Sequence, residues 1–177
     1  MGRGVSDGAG KLRLADLARG PAQVSLRPDA AERAKIAAEL GLEGLPALSA
    51  EIEVRPWLDG AELRGRFTAT VAQICGVTLE PFEQPLAGDI DVRVLPAGSP
   101  NAPAQDEGGE LALDLDAPDP PDVLEGEEVD VARYLVEHLA LEVDPFPRKP
   151  GAEFDYVPDA PTDSPFAALA ALKRREP

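Results

Sequence analysis

Two neighbouring runs of the chain alternate apolar and polar residues. In residues 62–75, Leu63, Phe67, Ala69, Val71 and Cys75 share one parity, and Glu62, Arg64, Arg66, Thr68 and Thr70 share the other. In residues 84–95, Leu86, Ile90, Val92 and Val94 alternate with Ala87, Asp89, Asp91 and Arg93. A period of two places alternate side chains on opposite faces of a strand, so each run predicts one buried and one wetted side. Gly76 and the stretch Thr78-Leu79-Glu80-Pro81 supply turn chemistry between them. Together the runs predict a long antiparallel hairpin. A third run, 49–58, sets Ala50, Ile52 and Val54 against Glu51, Glu53 and Arg55, with Trp57 near its end. Asp59-Gly60 reads as a tight turn into the hairpin. The expectation is a three-strand meander over 49–58, 62–75 and 84–95. Such a sheet needs a helix or further strands on its apolar face.

Two helices are available to cover it. Asp29 is a good N-cap with Glu32 completing a capping box, Ala34, Ile36, Ala37 and Leu40 form an apolar stripe, and Gly41 stops the helix predicted over 29–40. Asp130 opens a second helix over 130–141, with Val131, Tyr134, Leu135, His138 and Leu139 on one face. Glu137 stands beside that stripe, either solvated or holding a backbone group or an arginine of the sheet. His138 reads as a structural histidine. Short strands are expected over 12–17, 23–26 and 111–115, and stiff polyproline-like backbone over 144–150. At the end, Ser164-Pro165 precedes a run in which Phe166, Leu169, Leu172 and Lys173 fall near one face. This short helix cannot stand alone in water, so it packs on its own domain or waits for a groove elsewhere. The predicted class is α+β: an antiparallel sheet built as a meander of long strands, two packed helices and a short C-terminal helix. The predicted organisation is a disordered 1–10, one domain over 11–144 with an acidic Pro-rich loop at 96–128, an extended linker at 145–163 and the helix at 164–175.

Charge narrows the function classes. The 177 residues carry a formal net charge of −16, with 19 prolines and 16 glycines concentrated outside the alternating runs. Non-specific binding to nucleic acid relies on Lys and Arg displacing counterions, so a generic polyanion binder is excluded. Asp106, Glu107, Glu110, Asp114 and Asp116 lie in the 96–128 loop. That loop reads either as a solvated connection or as a docking surface for a basic protein. Lys11, Arg13, Arg19, Arg27, Arg33 and Lys35, with Arg64 and Arg66 on the polar sheet face, could converge into a local patch that touches RNA. One cysteine and one histidine leave no disulfide framework, no evident Cys/His nucleophile pair and no zinc ligand set. No phosphate-binding glycine loop follows a strand. The expectation is a non-enzymatic protein without cofactor or metal. With no bilayer-length apolar run and no secretory leader, it is expected to be soluble and cytoplasmic.

Three motifs in series carry a family resemblance: Gln73-Ile-Cys75-Gly-Val-Thr78-Leu79-Glu80-Pro81, then 130–141 followed by Asp144-Pro-Phe-Pro-Arg148-Lys-Pro-Gly151, then Ser164-Pro-Phe166-Ala-Ala-Leu169-Ala-Ala-Leu-Lys173. The chain resembles the YceD family of bacteria and plastids, in its alphaproteobacterial branch. The resemblance implies a part in accumulation of large-subunit ribosomal RNA, hence in ribosome assembly, with no established enzymatic activity. Partners it suggests are a basic large-subunit ribosomal protein or an assembly enzyme. The alternatives are direct contact with ribosomal RNA and an adaptor role outside the ribosome. Many relatives carry a Cys-x-x-Cys pair where this chain has Cys75 and Thr78. That departure removes a conventional metal site, and Cys75 reads as a small buried apolar residue. The candidate interaction surface is Arg64, Arg66, Cys75, Thr78, Glu80, Glu137, Phe166 and Leu169.

Overall fold

The alternation becomes backbone pairing. In the computed structural model, which describes residues 4–5, 10–102 and 119–154, the chain runs β1 (Gly4–Val5), β2 (Lys11–Arg13), a 3-10 helix (Leu14–Arg19), β3 (Ala22–Leu26), α1 (Ala30–Glu39), β4 (Gly44–Trp57), β5 (Gly60–Ile74), β6 (Pro81–Leu95), β7 (Asp122–Val123), β8 (Glu128–Asp130) and α2 (Val131–Glu142). The main sheet has the order β1-β3-β4-β5-β6-β7, and β2 with β8 forms a separate ribbon. The three long strands are the predicted meander, and each starts earlier than the alternation alone suggests. The register sets Leu63 between Val54 and Val92 on one face, and Arg64 between Glu53 and Asp91 on the other.

Several expectations change. The sheet is mixed, because β1 joins β3 and β7 joins β6 in parallel. These edges are reached through crossing connections rather than hairpins, and a crossing connection brings a strand back in the parallel sense. Gly4–Val5 thereby pairs within a stretch for which disorder is expected. The strand expected over 12–17 ends at Arg13. Its partner β8 is only three residues long, so beyond it the backbone tightens into the 3-10 helix and buries Leu17. The β4–β5 turn is Leu58-Asp59, one residue before the expected Asp59-Gly60, since Trp57 pairs with Gly60. Gly60 lies inside the paired strand, and close approach requires a glycine there: a Cβ would lie 1.9 Å from the Val94 carbonyl oxygen. Leu58 accordingly takes a positive φ of 53°.

The helices form as their caps dictate. The Asp29 carboxylate accepts from the N–H groups of Ala31 and Glu32, while the Glu32 carboxylate accepts from the Asp29 N–H at 2.9 Å. Gly41, at φ 66°, ends α1. Asp130 caps α2 by accepting from the Arg133 N–H at 3.0 Å. Both helices lie on the apolar face, where Ala37, Tyr134, Leu135 and Leu139 join Ile52, Val54, Leu63, Phe67, Val71, Ile90 and Val94 in one core. Burial, and then the neighbouring Asp122, raise the Tyr134 phenol above its ordinary value. His138 is half-buried, with Nδ1 2.8 Å from the Tyr134 carbonyl oxygen. The strand expected at 111–115 and the helix at 164–175 lie outside the described residues.

Candidate interaction surface

The polar face of the sheet is a checkerboard of charge. Period-two alternation lifts Arg55, Arg64, Arg66 and Arg93 onto it, and the strand register places a carboxylate across from each. Arg55 reaches Glu62 at 2.8 Å and Glu53 at 3.7 Å; Arg64 reaches Glu62 at 2.9 Å and Asp91 at 3.5 Å. Arg66 pairs with Asp89 at 2.9 Å, Arg93 with Glu62 at 3.5 Å, and Arg27, just past β3, with Glu51 at 3.3 Å. Burial pushes the Glu62 carboxyl up, but the charge of Arg64 and the hydrogen bonds from Arg93 and Arg55 outweigh it and hold the group low. Arg93 also lies over the Trp57 ring, 5.5 Å from its centroid. Each exposed pair adds little stability. Their collective effect is on charge: five arginines meet five carboxylates, so the face presents no net positive field.

The tip of the β5–β6 hairpin is built differently. Cys75 is fully buried, yet its sulfur is not in apolar surroundings. It accepts from the backbone N–H groups of Val77 at 3.4 Å, Thr78 at 3.4 Å and Lys149 at 3.3 Å. The Thr78 side chain and the Thr78 and Lys149 N–H groups together outweigh burial and lower the thiol from 9.0 to about 6. The Lys149 contact belongs to a strap, residues 143–149, that leaves α2 and lies against the hairpin end. Gln73 donates its side-chain N–H to the Asp144 carbonyl at 3.1 Å, Gly76 N–H donates to the Pro147 carbonyl at 2.9 Å, and Lys149 Nζ reaches Glu80 at 3.0 Å. The hydrogen bond and charge of Lys149 hold the Glu80 carboxyl below its usual range. The tip closes through Leu79 N–H to Cys75 O and Cys75 N–H to Glu80 O, both 2.9 Å. Leu79 takes φ 59° there. Its side chain is 76% exposed, and Phe146 of the strap is 80% exposed. The Asp144 carboxylate accepts from the Phe146 N–H at 2.8 Å.

A family model described as "Large ribosomal RNA subunit accumulation protein YceD" matches residues 63–173, more than half of the chain. The chain belongs to the YceD family. That name carries a role in accumulation of the large ribosomal subunit RNA, and describes an accumulation factor rather than an enzyme. Comparison with curated proteins and with solved structures returned no match.

Within this YceD protein, the structure gathers only part of the predicted surface. Cys75, Thr78 and Glu80 sit together at the tip. Arg64 and Arg66 lie on the polar sheet face and are engaged by carboxylates. Glu137 is on α2 and pairs with Arg133 of its own helix at 2.8 Å, rather than with an arginine of the sheet. Of the basic residues near the start, Lys11 pairs with Glu128 and Asp130, Arg27 with Glu51, and Arg33 donates to the carbonyls of Leu45 and Pro28. Phe166, Leu169, Asp106, Glu107, Glu110, Asp114 and Asp116 lie outside the described residues. Among the described residues no cluster of His, Cys, Asp and Glu could hold a metal, and no helix is long and apolar enough to cross a membrane. Sequence reasoning missed Gln73, Leu79, Phe146 and Lys149. The Asp144-Pro-Phe-Pro-Arg148-Lys149 block was the available signal, but nothing local shows that it returns to Cys75 across a separation of 74 residues.

Proposed function

We propose that this YceD protein supports large-subunit ribosomal RNA accumulation without chemistry of its own, by docking the hairpin tip and strap on a basic large-subunit ribosomal protein or assembly enzyme. The observation that carries the reading is the checkerboard. Arginines already engaged by carboxylates offer little to phosphates, whose binding depends on cations free to displace counterions. Exposed Leu79 and Phe146, on a molecule of charge −16, suit a partner that is basic and has apolar anchors of its own.

The test is an affinity pull-down from native cytoplasm at low salt, with and without nuclease, using the full chain and a Leu79→Asp/Phe146→Asp variant. A basic large-subunit protein enriched in both samples and lost with the variant is the expected result. Enrichment only without nuclease would transfer the function to direct RNA binding. A partner that is not a ribosomal component or assembly enzyme, enriched in their place, would make the protein an adaptor outside the ribosome.

A further inference from the structure

Helices α1 and α2 share the apolar face of the sheet without closing over it. α1 packs on β4, whereas α2 packs on β6, β5 and β2. Between them lies a cleft of about 1210 Å³, with Leu26 of β3, Ile36 of α1 and Leu135 and Val136 of α2 among its apolar lining. Its charged lining is mixed, with exposed Glu32, Glu39 and Glu137 beside Arg27, Lys35 and Arg133, and Glu137 already pairs with Arg133. Neighbouring helices in a two-layer fold usually pack at roughly 8–10 Å. An open cleft of this size therefore leaves space in the helical layer over the sheet.

The same chain holds a segment with an apolar stripe and a basic end. Residues 164–175 place Phe166, Leu169 and Leu172 three apart and finish with Lys173-Arg174-Arg175. A helix this short gains stability only by burying its apolar stripe. Residues 155–163 separate it from Phe154, the last described residue. Nine residues at up to about 3.6 Å each can span roughly 30 Å, against roughly 18 Å for the whole of the 12-residue α2. The tether thus has the reach to return along α2. Glu39 makes no ion pair among the described residues, so its carboxylate is free to meet the basic end.

We infer that residues 164–175 seat in the α1–α2 cleft of their own molecule as a third helix of that layer. Phe166, Leu169 and Leu172 face Leu26, Ile36, Leu135 and Val136, and the Lys173-Arg174-Arg175 end lies toward Glu39. This occupant is internal, so the inference stands apart from the docking proposed for the hairpin tip.

The experiment is disulfide trapping in the full chain. Val136→Cys is combined in turn with Phe166→Cys, Leu169→Cys and Leu172→Cys. The control combines Leu169→Cys with Thr68→Cys, which is exposed on the opposite sheet face. Under mild oxidation of dilute protein, at least one tail position should form an intramolecular disulfide with position 136 about tenfold faster than the control pair forms. Independently, Leu169→Asp in the full chain should speed amide hydrogen exchange in α1 and α2. Equal rates at positions 136 and 68, no disulfide from any tail position, or no change in exchange would each overturn the inference. Intermolecular disulfides would overturn it in favour of a second copy.

Discussion

Cys75 joins two distant parts of the chain through a single atom. Its sulfur takes N–H bonds from its own turn and from Lys149, and those bonds favour the thiolate, which lowers the thiol to about 6. Because the folded pKa lies below the ordinary 9.0, folding favours the thiolate. The resulting stability is present in full above about pH 9, shrinks as pH falls and is gone below about pH 6. Chemical denaturation across pH 5–10 should therefore show the wild-type advantage over Cys75→Ala growing through that window, roughly the interval between the two pKa values. Ultraviolet absorbance of the thiolate should rise with a midpoint near 6. Loss of the acceptor leaves the donors at a closed turn without their bond, so Cys75→Ala should melt about 3–6 °C lower. Faster hydrogen exchange confined to 75–80 and 144–149 would locate the effect.

At the scale of elements, close approach of backbones decides where the glycines matter. Gly60 sits where a Cβ would meet the Val94 carbonyl at 1.9 Å, whereas Gly126 has no atom within 4 Å of that position. Gly60→Ala must push β5 and β6 apart and should cost about 2–4 kcal/mol in urea unfolding, while Gly126→Ala should stay within about 0.5 kcal/mol of wild type. A cost at Gly60 equal to that at Gly126 would refute the steric account. α1 gives a milder test: Asp29→Ala removes one half of its capping box and should cost about 1 kcal/mol, read by the same method.

On the scale of the whole molecule, net charge and its arrangement act together. The carboxylates beside Arg64 and Arg66 neutralise them in place, so filter binding should show no salt-dependent RNA association either before or after both are reversed to Glu. A salt-dependent association that disappears with the fold intact would restore a direct RNA-binding role. The same substitutions set like charges opposite Glu53, Asp91 and Asp89, and should lower stability by about 1–2 kcal/mol without unfolding the sheet.

Alternation, caps and turn residues were local properties, and they determined the three long strands, both helices and which face of each strand is apolar. The family motifs were likewise legible residue by residue. The tertiary structure decided what each polar group meets. Alternation lifts Arg64 from the sheet but cannot say that Asp91 waits across β6, because register depends on a pairing between distant residues. It places Cys75 on the buried parity, but the third N–H on its sulfur comes from a strap 74 residues away. The end of β2 at Arg13 was set by the short length of β8, and the parallel edges by how crossing connections return to the sheet. Local periodicity acts between near neighbours in the chain, whereas these choices depend on which distant backbones meet, and that is settled only as the chain packs.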